Sequence, residues 1–350
     1  MGQARVPGPG ALLLALREQA GLDLAALVPA DGGESASTFL ATGRDGTVSV
    51  LKISPDDVGD SVGRLRELVS GLRRRGYPAA RLLASGQVAD LTFWLQERLP
   101  GSVLEQDQVP GWLIPEVLRL NDAQAGLGDG TRRLSGLMAA TLTAGGDGYC
   151  VHATLEARPD TRDLLAVVRQ TADRCLAAIP ERDDFVHYDF TLANLLTVGP
   201  GISGVIDINP PALTGDRAFD LATMLFYLYD RHDIRELLRS RALELTSRRA
   251  FSAYLAHMLL RQVDWSLRYH PGTLSTAHHL HLARLVAADL QQLRQRDHRR
   301  RPLRVHPVET EYDIRVNCDL CGKRLRTGSR RGGCEQTLEC RREHRRPPGR

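Results

Sequence analysis

Residues 185–196 read FVHYDFTLANLL, and they set His187, Asp189 and Asn194 in an H-x-D-x-x-x-x-N spacing between two apolar runs. A carboxylate and a neutral carboxamide five residues apart face one point when the chain folds back in a tight loop. The apolar strand that follows, GVID, ends in Asp207 and brings a second carboxylate. A proton acceptor and two hard oxygen donors are what phosphoryl transfer asks of a protein, which positions magnesium and phosphate and does little covalent chemistry itself. Asp189 supplies the proton acceptor, and Asn194 and Asp207 supply the metal ligands. Such a site also needs a cation for the phosphates, and the composition points to one.

Of the 46 basic residues only Lys52 and Lys323 are lysines. A chain that uses arginine almost everywhere keeps a lysine where a compact ammonium fits and a guanidinium fork does not, and phosphate oxygens are such a place. Lys52 lies in TVSVLKIS, a β-branched alternating run that reads as a strand. Before it, DGGESASTFLATGRDG reads as strand, glycine-rich turn and strand, with a second turn at Arg44-Asp45-Gly46. After it, Val62, Leu65, Leu68, Val69 and Leu72 recur at helical spacing until Gly76, Tyr77 and Pro78 end the helix. Glu67 on this helix is expected to pair with Lys52 and hold its ammonium toward a nucleotide. LTFWLQERLPG then reads as a strand running into a Pro-Gly turn. Strands, one helix and more strands make a small α+β lobe.

At this point the chain resembles the aminoglycoside phosphotransferase family within the protein-kinase-like fold. The resemblance rests on GGESAS, the VLK strand, Glu67, QERLPG, HYDFTLANLL, VIDI and GDRAFDLA, in that order over about residues 30 to 225. It implies an α+β, bilobal fold: a small sheet-containing N-lobe over 1–101 and a mostly helical C-lobe over 102–300. By residue-wise carry-over, Asp189 resembles the catalytic base, Asn194 and Asp207 the magnesium ligands, and Lys52 the phosphate-contacting lysine. The resemblance also implies an adenine held by connector backbone near Glu97 and Leu99, and phosphates covered by the Gly32-Gly33 turn with Ser35. ATP or GTP, magnesium and a small-molecule hydroxyl acceptor are the implied ligands, with an aminoglycoside-like or other antibiotic as the expected acceptor.

Other residues in these motifs read as architecture. His187 is expected to hold the loop by hydrogen bonds, Asp220 to brace it, and Asp216 to cap the helix DRAFDLATMLFYL. Tyr188 departs from the family pattern, which often has glycine there, and puts a bulky ring beside the base. Asn209-Pro210-Pro211 stiffens the segment after the metal aspartate. Every ionic and polar role is filled, so the reading is of an active enzyme.

The remaining chain reads as helical over 111–180 and 232–296. His278, His279 and His281 cannot converge from one helix and read as an ordinary helix face. Across all 350 residues, 42% are hydrophobic, 25% charged and 5% aromatic, with a net charge of +4. That composition excludes a disordered chain. No apolar run nears the ~18 residues of a membrane span, and Arg17 and Glu18 interrupt the N-terminal apolar stretch, which reads as an amphipathic helix rather than a signal peptide. The expected compartment is the cytoplasm.

Residues 291–350 carry 17 Lys/Arg against 8 Asp/Glu, or +9, which leaves the rest of the chain at −5. Within residues 291–350 the basic extension 301–350 holds Cys318, Cys321, Cys334 and Cys340, with His344 after them. Four cysteines crowded into a cytosolic tail point to structural zinc before disulfides, with Cys340 or His344 as the fourth ligand. Cys150 and Cys175 read as buried thiols. The basic tail also raises a competing reading, a kinase-like body that binds nucleic acid, although the tail lacks the aromatics that stack on single strands. A third reading is a kinase of a housekeeping acceptor such as choline, a sugar or homoserine.

Overall fold

A computed structural model describes residues 7–30, 37–55, 58–104, 109–146 and 148–299, together with the backbone of three short strands beyond them. The chain forms two compact units, Met1–Leu290 and Gln291–Arg350.

The first unit opens with α1 (Pro9–Ala20), which has proline in its first turn and ends on Gly21 at φ +64°. Five strands follow: β1 (Leu24–Pro29), β2 (Thr38–Gly43), β3 (Val48–Ser54), β4 (Leu82–Val88) and β5 (Leu91–Glu97). They form one antiparallel sheet in the order β1-β2-β3-β5-β4. The expected turn between β2 and β3 is present. Asp45 accepts from the Thr47 backbone N–H at 2.9 Å while Gly46 takes φ +82°, a conformation that costs glycine nothing. α1 lays Leu12 and Leu16 on this sheet, and they join Phe39, Leu51, Ile53 and Phe93 in a small core.

Between β3 and β4 runs α2 (Gly59–Arg74), whose buried residues include the ones the helical spacing selects, Val62, Leu65, Leu68, Val69 and Leu72. That face joins the larger core rather than the small one, together with Leu82 and Trp94 from the sheet. The helix is therefore fixed to the body of the unit. Gly76, at φ +77°, turns the chain out of it as expected.

Beyond β5 the chain crosses to a helical region through β6 (Ser102–Val103). The crossing is tight: Gly101 sits at φ +110°, and a Cβ there would lie 2.6 Å from both Ser203 Oγ and the Thr197 carbonyl oxygen. Only glycine fits. There follow α3 (Leu113–Ala123), β7 (Arg132–Arg133), α4 (Leu134–Thr143), α5 (His152–Glu156), α6 (Pro159–Cys175), β8 (Asp184–Val186), β9 (Leu195–Thr197), β10 (Ile202–Val205), β11 (Leu213–Gly215), α7 (Ala218–Tyr227), α8 (His232–Leu245), α9 (Arg248–Tyr269) and α10 (Leu274–Arg299). Two three-stranded sheets, β10-β9-β6 and β7-β11-β8, hold the loops that carry the sequence motifs.

α9 is the packing centre. Ser247 caps it by accepting from the Ala250 N–H at 3.1 Å, and Phe251, Tyr254, Leu255, Met258 and Leu259 are all buried. Fifteen of its 22 residues are buried, polar ones such as His257, Gln262 and Asp264 among them, so it is enclosed on most sides. Truncating the fully buried Leu259 to alanine is expected to cost ~2–5 kcal/mol. Cys150 and Cys175 are free and buried, as expected.

In the second unit, β12 (Val308–Thr310), β13 (Asp313–Asn317) and β14 (Arg324–Thr327) form an antiparallel three-stranded sheet. No helix among the described residues is long and apolar enough to cross a membrane.

Candidate active site

The loop after β8 is held from beneath by Asp220 on α7. One oxygen of this buried carboxylate accepts from the His187 backbone N–H at 2.8 Å and from Gln124 at 2.7 Å, and the other accepts from the Tyr188 N–H at 2.9 Å. Burial pushes the Asp220 carboxyl above its ordinary value, and these donors together with His187 oppose that rise. His187 ties the loop sideways, with Nε2 2.8 Å from the Ile206 carbonyl oxygen. A second tie runs from the Ile206 N–H to the Asn194 carbonyl at 3.0 Å. The Asp189 loop and the strand leading to Asp207 are thus locked to each other before any ligand enters.

Two residues at the heart of this arrangement adopt the left-handed region that favours glycine, Tyr188 at φ +74° and Asp207 at φ +68°. Strained backbone of this kind collects where a side chain must be aimed, and the surroundings must hold it. Tyr188 is held on three sides. Its ring stacks on Phe219 at 5.4 Å and 5°, its hydroxyl pairs with His257 Nε2 at 3.0 Å, and the Arg261 guanidinium lies over the ring at 4.4 Å from its centroid. A φ of +74° favours glycine, and these contacts account for how tyrosine is tolerated there.

Asp189 uses both carboxylate oxygens. Oδ2 accepts from Asn194 Nδ2 at 3.0 Å, and the same nitrogen donates to the Asp189 carbonyl at 2.8 Å. With its nitrogen turned inward, Asn194 has its side-chain oxygen left to offer. Oδ1 of Asp189 accepts from Arg261 on α9 at 2.7 Å, and Arg261 also donates to the Tyr188 carbonyl at 2.8 Å. Burial opposes the charge on Arg261, but Asp189 and the neighbouring rings outweigh it and raise the guanidinium above its ordinary value. His257, one turn back on α9, is pushed down to about 3 by burial and then by Arg261, so it is a neutral ring at physiological pH.

Asp207 sits opposite Lys52. Lys52 Nζ lies 2.6 Å from Asp207 Oδ1 and 2.7 Å from Asn209 Oδ1, and Asn209 Nδ2 donates back to Asp207 at 2.9 Å. Burial would raise the Asp207 carboxyl, yet the Lys52 charge and the Lys52 and Asn209 hydrogen bonds bring it down to about 2. Its second oxygen and the Asn194 side-chain oxygen are the hard donors that magnesium prefers.

The model of the phosphotransferase enzyme family, APH, matches residues 26–254. This chain belongs to the APH family. No curated protein matches it in sequence. Among solved structures, the apo form of a thermostable mutant of aminoglycoside phosphotransferase APH(4)-Ia is similar at a TM-score of 0.57 and 20% identity, over 79% of this chain and 98% of that one. A further variant of that thermostable mutant, solved as a ternary complex with ADP and hygromycin B, is similar at 0.56 and 20%, over 78% and 96%. The GDP and kanamycin complex of APH(2")-IIia follows at 0.55 and 14%, over 80% and 99%. At these identities the likeness establishes the kinase-like APH fold, an N-terminal sheet followed by a helical region.

The structure brings Asp189 and Asn194 into contact, joins Lys52 to Asp207, and ties the two loops together through His187 and Ile206. Glu67 stands apart. The expected Lys52–Glu67 pair does not form: Glu67 is exposed on α2, and the ammonium is taken by Asp207 and Asn209. The buried face of α2 carries Val62, Leu65, Leu68, Val69 and Leu72, which leaves Glu67 on the exposed side of the helix. Asp216 does reach the start of α7, accepting from the Ala218 N–H at 3.0 Å, but it lies one residue before the N-cap Arg217 and spends its other oxygen on Tyr254 at 2.9 Å.

In the connector, the Glu97 side chain is bound by Arg73 and Arg81 at 2.7 and 2.8 Å, and Leu99 packs over Gly204, where a Cβ would meet it at 2.9 Å. Ser203 donates to the Pro100 carbonyl at 2.6 Å and pins this segment to the β9–β10 hairpin. A cavity of about 420 Å³ lies against it, lined by Arg73, Tyr77, Glu97, Arg98 and Leu99 among others, and neither Asp189 nor Asp207 borders it.

Gly32, Gly33 and Ser35 lie outside the described residues, as do Cys318, Cys321, Cys334, Cys340 and His344. No group of three or more His, Cys, Asp or Glu residues arranged for a metal ion occurs among the described residues. His279 is buried and pairs with Gln262 and Ser266, each at 3.0 Å, as a structural histidine. Two residues at the site escape the sequence reading. Asn209 reads there only as part of a stiffened backbone. Arg261 is one of 44 arginines and belongs to no motif, and only the packing of α9 against the Asp189 loop reveals it.

Proposed function

We propose that this APH-family chain transfers the γ-phosphoryl group of ATP or GTP to a hydroxyl of a small molecule, with an antibiotic as the acceptor class. The observation that carries the reading is the joint presentation of Asp189, held through Asn194, and the Lys52–Asp207 pair on loops that share their hydrogen bonds. Similar structures solved with ADP and hygromycin B and with GDP and kanamycin support both halves of the reaction.

In the proposed reaction Asp189 orients the acceptor hydroxyl and takes its proton as the O–H bond breaks. The hydroxyl oxygen forms a bond to the γ-phosphorus, and the bond from that phosphorus to the β-bridging oxygen breaks, leaving its electron pair on the nucleoside diphosphate. Lys52 exchanges part of its contact with Asp207 for phosphate oxygens. Asn194 and Asp207 would hold magnesium, which when bound neutralises charge on the phosphates. The connector near Glu97 and Leu99 takes the base, and Gly32, Gly33 and Ser35 cover the phosphates.

Cytoplasmic location and a structural zinc on Cys318, Cys321, Cys334 and Cys340 complete the proposal. Elemental analysis of the full chain against one ending at residue 300 tests the zinc, with loss of the metal on truncation as the expected result.

The deciding experiment incubates purified protein, magnesium and ATP or GTP with a panel of hydroxyl-bearing antibiotics and metabolites. The expected result is nucleotide consumption that depends on one acceptor class, with a phosphorylated product. Nucleotide that does not bind at all would end the reading.

A further inference from the structure

Tyr188 carries a strained φ of +74° directly before Asp189, and its hydroxyl is held by a residue that belongs to no sequence motif. That residue, His257, is fully buried on α9, with the Tyr188 and Phe219 rings 5.7 and 5.5 Å from its own. Both of its ring nitrogens are engaged. Nε2 lies 3.0 Å from the Tyr188 hydroxyl, and Nδ1 lies 3.2 Å from Thr141 Oγ1 on α4. Burial, and then the Arg261 charge, push the ring down to about 3, so it is neutral and carries a single N–H.

Thr141 decides which nitrogen carries that proton. Its hydroxyl lies 2.8 Å from the Leu137 carbonyl oxygen, with the Met138 carbonyl farther off at 3.4 Å. Two oxygens that close need a proton between them, and the hydroxyl has only one to give. Thr141 Oγ1 therefore meets His257 as an acceptor. Nδ1 of His257 donates to it, which leaves the Nε2 lone pair to accept from the Tyr188 O–H. Every member points the same way: Tyr188 donates to His257, His257 to Thr141, and Thr141 to Leu137. The far end is anchored, since His152 Nε2 lies 3.1 Å from the Thr141 carbonyl oxygen.

The near end reaches the base by two routes. The Tyr188 carbonyl accepts from Arg261 at 2.8 Å, and the same guanidinium donates to Asp189 Oδ1 at 2.7 Å while lying 4.4 Å from the Tyr188 ring centroid. A shift of the ring thus moves both the backbone before Asp189 and the arginine that holds it. We propose that His257 is a positioning residue for Asp189: as the Nδ1–H tautomer it accepts from the Tyr188 hydroxyl and locks the left-handed turn that aims the carboxylate. The inference rests on the phosphotransfer reading above and adds to it a residue that acts through another side chain. Glycine at 188 would need no such lock, because the left-handed region costs it nothing.

The test is a double-mutant cycle of His257→Leu and Tyr188→Gly, read as steady-state rates on an accepted hydroxyl compound with magnesium and nucleotide. His257→Leu is expected to lower kcat roughly ten-fold while KM for nucleotide stays within about two-fold, since Lys52 and Asp207 are untouched. In the Tyr188→Gly background the same substitution should change kcat by less than about two-fold. His257→Gln keeps an acceptor for the Tyr188 hydroxyl and should hold kcat within about two-fold of wild type. Wild-type kcat in His257→Leu, or an equal loss in both backgrounds, would overturn the proposal. Nitrogen NMR of isotope-labelled histidine in the wild-type protein reads the tautomer directly, with His257 assigned by the signals missing from His257→Gln. A protonated Nδ1 and a bare Nε2 are expected, and the opposite tautomer would overturn the proposal even if His257→Leu fails to fold. Wild type that transfers phosphoryl to no acceptor would instead fail the phosphotransfer reading, while the ring nitrogens would still decide the hydrogen-bond chain.

Discussion

Two carboxylates of the site, Asp189 and Asp207, each hold a cation at nearly the same distance, 2.7 and 2.6 Å, and the two pairs are built in opposite ways. Asp207 meets a lysine, a point charge on a flexible stem that can be shared with phosphate oxygens. Asp189 meets an arginine fixed by its fork, by the Tyr188 carbonyl and by the Tyr188 ring. A lysine pair can exchange partners during turnover, while the arginine pair is an orienting clamp. Under the proposed phosphotransfer, the difference separates a nucleotide half that accepts and releases charge from an acceptor half that holds a base still.

The sharpest way to break this comparison is Asp189→Asn. Turnover is expected to fall about 10²–10⁴-fold with nucleotide affinity nearly unchanged, as loss of a general base requires. Asp207→Ala should instead damage nucleotide binding and turnover together, which calorimetric titration of nucleotide beside steady-state rates would distinguish. Lys52→Ala is expected to weaken nucleotide binding by roughly ten- to a hundred-fold, the scale of about 1.5–3 kcal/mol for a hydrogen bond to a charged group.

Smaller effects sharpen the clamp side. Tyr188→Phe deletes the hydroxyl that His257 Nε2 meets at 3.0 Å, leaving a buried ring nitrogen unpaired at a cost of about 1–3 kcal/mol, readable as a lower denaturant midpoint with an unchanged slope. Acid should weaken the same region. The His257 pKa is about 3 in the folded chain against an ordinary 6.5, so the unfolded state binds more protons between those values and stability falls as pH drops from 6.5 toward 3. A His257→Gln protein should show a flatter dependence over that window. Asp207, at about 2 against 3.8, adds stability that is present above pH 3.8 and lost as pH falls through 2.

The sheet strands, α2 and the loop carrying Asp189 were legible because each has a local signature: alternation, a 3.6-residue period, or a fixed spacing of functional groups. The rarity of lysine marked Lys52, and its partner Asp207 was already marked by position. What connects the two, across 155 residues, was not legible, and the nearer-seeming Glu67 took the place of Asp207 in the reading. Arg261 was hidden for a related reason. It lies 72 residues from Asp189 in a chain where arginine is the default cation, so neither spacing nor composition singles it out. Tyr188 was legible as a departure but not as a remedy, because the stacking on Phe219 and the guanidinium that hold φ at +74° are tertiary contacts.

The most direct test of the account follows the label of γ-labelled ATP or GTP in wild-type and Asp189→Asn protein with magnesium and an accepted hydroxyl compound. Label should appear in the acceptor with wild type and be reduced about 10²–10⁴-fold in the variant, although both bind nucleotide. Transfer by the variant at the wild-type rate would contradict the assignment of Asp189 as the base.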